Sequence, residues 1–173
     1  MAGSISRVVA SLVLRGLADT APEALADEAA VRAVVDGEGD GAPLGPYRRI
    51  LEAAYASDGG RSLLAAGTTL RTLQHPLLFV LLNSSTPEVL IEKEARLASF
   101  FHSRHRVTIE DRSPTHLLLR HGSLADPPEP AENLASCGQH LALLEEIGCR
   151  DLRLRFPAST APERWVLAEG SLH

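Results

Sequence analysis

The hydrophobic residues of this chain change period near residue 104, and that change limits the folds open to it. Before it, apolar residues recur at helical spacing. Ile5, Val8, Val9, Leu12, Val13 and Leu17 predict a helix over 4–18, capped by Ser4 or Ser6. A second helix over 22–35 has Pro22 in its first turn, and a third over 47–57 carries Tyr47, Ile50, Leu51, Ala54 and Tyr55 on one side. Asp58-Gly59-Gly60 stops the third helix. The apolar run 76–82 has few β-branched residues and reads as a buried helix. The longest helix spans 86–103, with Thr86 as cap, Pro87 at the first position and Glu88 at the positive end of the dipole. After it, Val107 and Ile109 alternate with Arg106, Thr108 and Glu110, and Leu117 and Leu119 alternate with His116, Leu118 and Arg120. With the turn Asp111-Arg112-Ser113-Pro114 between them, these runs predict a β-hairpin. A helix over about 131–147, ended by Gly148, and a strand through Leu152, Leu154 and Phe156 follow. The tail, with Trp165, adds a short edge strand or helix. The fold class is α+β: N-terminal helices, then a β-hairpin–helix–strand unit whose small sheet packs on helices.

At 173 residues the chain is read as a single domain, 1–173, with a helical N-terminal extension at 1–45, a core at 46–157 and a tail at 158–173. The longest apolar run, 77–82, falls far short of the roughly 18 residues that a membrane span needs, so no membrane partner is expected. Seventeen basic residues against 22 acidic ones leave a net charge of −5, which argues against nucleic-acid binding by this chain alone. Arg15 interrupts the only stretch that could pass for a signal peptide, and two cysteines form no disulfide framework. A cytoplasmic protein with reduced thiols is expected.

Chemistry-bearing residues are few. Glu94 falls near the apolar face formed by Leu90, Leu97 and Phe101, where a carboxylate must be paired, protonated or facing a cavity. An ion pair with a sheet arginine is the structural reading; contact with an effector, or action as a base, is the functional one. Histidines crowd at 102, 105, 116 and 121, but 116 and 121 differ by an odd number and point to opposite faces of their strand, which disfavours a metal site using all four; the pair His105 plus His116 across the hairpin stays geometrically open, and no metal site is assigned. Arg106, Arg120, Arg153 and Arg155 would line up for an anion only if their strands are neighbours; otherwise they form a solvated face. Cys137 reads as a small hydrophobe and Cys149 as the more reactive thiol. The loop Asp36-Gly37-Glu38-Gly39-Asp40-Gly41 resembles half a calcium loop, but Tyr47 stands where the twelfth-position glutamate belongs, and a flexible loop is expected. Gly-x-Ser-x-Gly, P-loop, Gly-x-Gly-x-x-Gly and His-Glu-x-x-His motifs do not occur. No catalytic residue is assigned, and the balance is against an enzyme.

One ordered set of features resembles a known family. It comprises the helix Tyr47-Arg48-Arg49-Ile50-Leu51-Glu52-Ala53-Ala54, a Gly-rich break, the passage Leu81-Leu82-Asn83-Ser84-Ser85-Thr86-Pro87, and Ala95-Arg96-Leu97-Ala98-Ser99-Phe100-Phe101 inside the longest helix. Over about Tyr47 to Phe156 the chain resembles the N-terminal, arabinose-binding-like sensing domain of AraC-type transcriptional regulators, without their helix-turn-helix part. Ser99 stands where that family often has Arg. The resemblance implies a transcription-related, ligand-binding sensor or interaction domain, a small-molecule effector and a homodimer. It places a pocket between the long helix and the sheet, with Leu90, Glu94, Leu97, Phe101 and His116 as its ligand-binding residues. The alternative is an enzyme or accessory protein on the same scaffold, with Glu94 and His102, His105 or His116 as acid–base groups. Haem-dependent nitric oxide sensors also combine helices with a small sheet, but they resemble one another in a Tyr-x-Ser-x-Arg motif that this sequence lacks, and no cofactor is expected.

Overall fold

The computed structural model describes residues 3–72, 76–84, 86–101, 105–113, 116–123, 130–155 and 164–167. The chain is mostly helical, with two small antiparallel sheets, as an α+β fold requires. It opens on strand β1 (Ser4–Ser6), followed by α1 (Arg7–Thr20). A 3-10 turn (Pro22–Leu25) leads to α2 (Glu28–Val35), β2 (Gly41–Pro43), α3 (Leu44–Asp58) and α4 (Arg61–Gly67). A second 3-10 turn (Thr68–Thr72), α5 (Pro76–Leu82) and the long α6 (Pro87–Phe101) come next. The hairpin β3 (His105–Ser113) and β4 (His116–Ser123) precedes α7 (Pro130–Glu146), β5 (Leu154–Arg155) and β6 (Arg164–Leu167).

The first predicted helix does not begin at residue 4. Residues 4–6 pair antiparallel with 41–43, because the expected loop supplies a strand within reach of their backbone groups. Arg7 holds the rest of that loop. Its guanidinium donates to the carbonyls of Ala33 (3.3 Å), Val34, Glu38 (3.3 Å), Gly39 (3.0 Å) and Gly41 (2.7 Å). The loop is thus ordered by an arginine that gathers its backbone carbonyls. The predicted helix over 22–35 is two pieces, since Asp27 accepts from the Ala30 amide and starts α2 afresh. Thr86 caps α6 through the Val89 amide (3.3 Å), and Lys93 on α6 reaches back to the carbonyls of Val80 (3.2 Å) and Asn83 (2.6 Å) at the end of α5.

Three glycines set the helix packing. A Cβ on Gly16 of α1 would lie 2.6 Å from the Ala66 Cα of α4. On the other side of α4, a Cβ on Gly67 would lie 2.2 Å from the Ala135 carbonyl oxygen, and one on Gly138 would lie 2.1 Å from the Leu64 carbonyl oxygen. Short α4 is therefore held backbone-to-backbone between α1 and α7. One cluster of buried side chains runs from Ile5 to Cys149, so α1 and α2 share their core with the later helices.

The larger sheet has strand order β3-β4-β6-β5. The tail strand β6 is inserted between β4 and β5 and is not at the edge, and Arg120 stands opposite Arg164. Among the described residues β5 covers Leu154–Arg155; Leu152 stands before it, and Phe156 of the predicted strand lies outside the described residues. Arg153 lies outside it, and Arg120 pairs with Glu110. The arginine strip fails for these two residues; the side chains of Arg106 and Arg155 lie outside the described residues.

Candidate functional site

The site begins with a register on α7. Cys137, His140 and Leu144 recur at i, i+3 and i+7, and all three are fully buried. The His140 ring is sealed in the core, with Nδ1 directed at the Ser136 carbonyl (2.7 Å) one turn earlier. Its Nε2 meets a Glu94 carboxylate oxygen, so an ion pair joins α6 to α7 inside the protein. Burial alone pushes the His140 pKa down, but the charge and hydrogen bond of Glu94, with the Ser136 carbonyl, outweigh it and hold the value above that of an ordinary imidazole. Cys137 stands on the same face, and burial pushes its thiol well above the usual range, with the Glu94 charge adding to the effect.

Glu94 is thus paired, as its helix face demands, but with a histidine of α7 and not with an arginine of the sheet. His140 is the residue that motif reading misses. The helical spacing from Cys137 could have found it, because that spacing puts a polar ring on an apolar face. Of the other predicted pocket residues, Leu90 is fully buried in the common core and Leu97 packs against it half-buried. The side chain of Phe101 lies outside the described residues. His116 belongs to a different neighbourhood. It sits at the hairpin turn, half-buried, with Nδ1 on the Ser113 hydroxyl (2.5 Å) and Nε2 on the Asp111 carboxylate (3.2 Å). Glu94 therefore has its partner on α7 while His116 has its own at the turn. The side chains of His102, His105 and His121 lie outside the described residues.

A second buried charge pair anchors the start of α7. Arg48 Nε lies 3.0 Å from Glu132, whose carboxylate sits in the first turn of α7 where the helix dipole favours it. The neighbouring Tyr47 phenol is pushed far up by burial and by Glu132. Cys149 is buried, and burial pushes its thiol upward, so it is not the reactive cysteine its position past Gly148 suggests. It adjoins an open depression of about 390 Å³ lined by Arg71, Glu145, Glu146, Arg150 and Asp151. The two arginines there are already engaged, Arg71 with Glu145 (3.2 Å) and Arg150 with the carbonyls of Glu145 and Cys149. Among the described residues no group of three His, Cys, Asp or Glu side chains is placed to hold a metal ion, and no helix is long and apolar enough to cross a membrane.

By sequence, no protein-family model and no curated protein matches the chain. By structure it matches haem-nitric oxide/oxygen binding (H-NOX) proteins. The Fe(II) unliganded H-NOX protein from K. algicida superposes with a TM-score of 0.65 at 11% identity, over 96% of this chain and 97% of that one. An oxygen-binding H-NOX domain related to soluble guanylate cyclases, in its oxygen complex, superposes at 0.54 with 10% identity, over 95% and 94%. A structure addressing the mechanism of H-NOX activation gives 0.54 at 12%, over 94% of both chains. The resemblance to AraC-type sensing domains, and the role in transcription it implied, is overturned by these matches. From end to end, the fold of this chain is similar to that of H-NOX domains.

Proposed function

We propose that this chain is a small-molecule-binding sensor domain in which α6 and α7 form the responsive element. The observation that carries the reading is the likeness of fold over nearly the whole of both chains to domains described as oxygen-binding or in terms of activation. Fold likeness is an analogy; the buried Glu94–His140 pair ties it to this chain's own residues. A ligand that displaces α6 has to turn or separate that pair, so occupancy and helix position share one free energy. Leu90, Glu94 and Leu97 then belong to the responsive helix and not to the wall of a pocket facing His116. The expectation of a homodimer rested on AraC-type relatives and has no support left.

Native mass spectrometry of the purified full chain tests the reading, followed by thermal-shift screening of a metabolite library. A bound small molecule released on unfolding, or a compound that raises Tm in a saturable way, is the expected result. A chain that flies at its sequence mass and whose Tm no compound moves overturns the sensor reading.

A further inference from the structure

A bulge in the hairpin decides what its outer face carries. Val107 of β3 is buried, and Ile109 pairs with the buried Leu119 of β4. A strand that kept its period of two would send Asp111 and Ser113 to that same buried side. Instead the register shifts between Ile109 and Asp111, with Glu110 as the extra residue. After the shift Asp111 stands opposite Leu118 and Ser113 opposite His116, and residues paired across an antiparallel ladder share a face. His116 and Leu118 alternate with the buried Leu117 and Leu119. Asp111, Ser113 and His116 therefore meet on the side of the hairpin turned away from the core. Re-aiming side chains in this way is what bulges commonly do beside active sites.

Short contacts connect the three. Ser113 Oγ lies 2.5 Å from His116 Nδ1, and His116 Nε2 lies 3.2 Å from Asp111 Oδ2. The other oxygen of Asp111 accepts from the Arg112 amide (2.8 Å), which fixes the carboxylate. The hydrogen bonds from His116 and from that amide hold the Asp111 carboxyl below its ordinary range, so it stays charged. A neutral ring in this setting keeps its proton on Nε2, toward the carboxylate, and turns the lone pair of Nδ1 to the hydroxyl. The His116 amide donates to Ser113 Oγ (3.2 Å), which favours the alkoxide over the hydroxyl. Nucleophile, base and orienting carboxylate are the roles of a catalytic triad, which is recognised by geometry and not by chain order.

We propose that Ser113, His116 and Asp111 form a nucleophilic serine centre that takes acyl groups from small activated esters. Ser113 Oγ bonds to the acyl carbon while its proton passes to His116 Nδ1. The bond to the leaving oxygen then breaks, and that oxygen takes the proton from Nδ1 and departs as a phenol or alcohol. Water deprotonated by the same nitrogen adds to the acyl carbon, and a carboxylic acid and free Ser113 result. Asp111 is a positioning residue, since it acts through the ring. Leu118, half-buried opposite Asp111 on the same face, offers an apolar rest for the acyl or aryl group. An aryl ester suits the centre because a phenolate leaves readily. The centre shares no residue with the Glu94–His140 pair, so it holds or fails independently of the sensor reading.

The test is to mix the full chain with p-nitrophenyl acetate, follow nitrophenol release, and map the acetyl group by peptide mass spectrometry after an early acid quench. The expected result is an acetyl group on Ser113 that Ser113→Ala does not acquire, and release slowed by about 100-fold in His116→Gln. Asp111→Asn should lower kcat with KM little changed, and Asp111→Glu should recover part of the rate, which loss of a merely structural contact would not predict. Release no faster than in buffer, acetyl groups only at other residues, or release that survives Ser113→Ala or His116→Gln overturns the proposal. A fluorophosphonate, which phosphonylates activated serines with loss of fluoride, gives a reading on the wild-type chain that needs no variant to fold. Labelling at Ser113 supports the centre, and labelling at no serine or only at another one overturns it.

Discussion

His140 carries a pH dependence whose sign is fixed by its surroundings. Its folded pKa lies above the ordinary value because Glu94 and Ser136 outweigh burial. Stability from the pair is therefore fully present below the unfolded value of about 6.5 and is lost as pH rises through the raised folded value. Urea midpoints measured from pH 6 to pH 8 should fall across that window. In Glu94→Gln the carboxylate is gone and burial, the largest influence on the ring, lowers the pKa. The slope should then reverse, with stability lost as pH falls below about 6.5. Removing one partner of a buried pair should cost about 3 kcal/mol at pH 6, and a midpoint unchanged there would refute the geometry. Arg7 is the other decisive single residue, since its side chain collects five backbone carbonyls from residues 33–41. Arg7→Met should destabilise by about 2 kcal/mol in urea unfolding. Calcium should leave the wild-type midpoint unmoved, because the carbonyl cluster already holds a cation.

Among the elements, α4 shows how packing overrides propensity. Replacing a helical glycine by alanine ordinarily stabilises by up to about 1 kcal/mol. At Gly138 the new methyl would lie 2.1 Å from the Leu64 carbonyl oxygen, a backbone atom that cannot step aside without moving α4. Gly138→Ala should destabilise by about 3 kcal/mol. Gly45, in the first turn of α3, is exposed, and a methyl added there would meet nothing within 4 Å, so Gly45→Ala should be neutral or stabilising by up to about 1 kcal/mol. Equilibrium denaturation of the two variants compares the same substitution with opposite signs. Most of the helices were legible because their caps and apolar spacing are local: Thr86, Pro87 and Glu88 announce α6, and Gly59, in the left-handed conformation, ends α3. The strands were legible in part. The alternation of Val107 and Ile109 with their polar neighbours marks the hairpin, but nothing in a run of four residues tells β6 to enter between β4 and β5.

For the whole molecule, the AraC resemblance was drawn from local residue patterns, whereas the H-NOX likeness is one of tertiary fold. How the helices of this chain cross depends on pairs such as Gly16 with Ala66 and Gly67 with Gly138, which no local pattern reports. Native mass spectrometry addresses this scale, asking whether the assembled fold holds a small molecule. By itself the sequence determined the periods, hence the helices, the hairpin and the α+β class, and it determined that Glu94 needed a partner. Only the tertiary structure decided which partner. Glu94 and His140 are 46 positions apart. Periodicity reports the face on which a side chain lies and not what stands across from it. That choice was made where α6 closes on α7, itself packed on α4, at a distance along the chain that no local pattern spans.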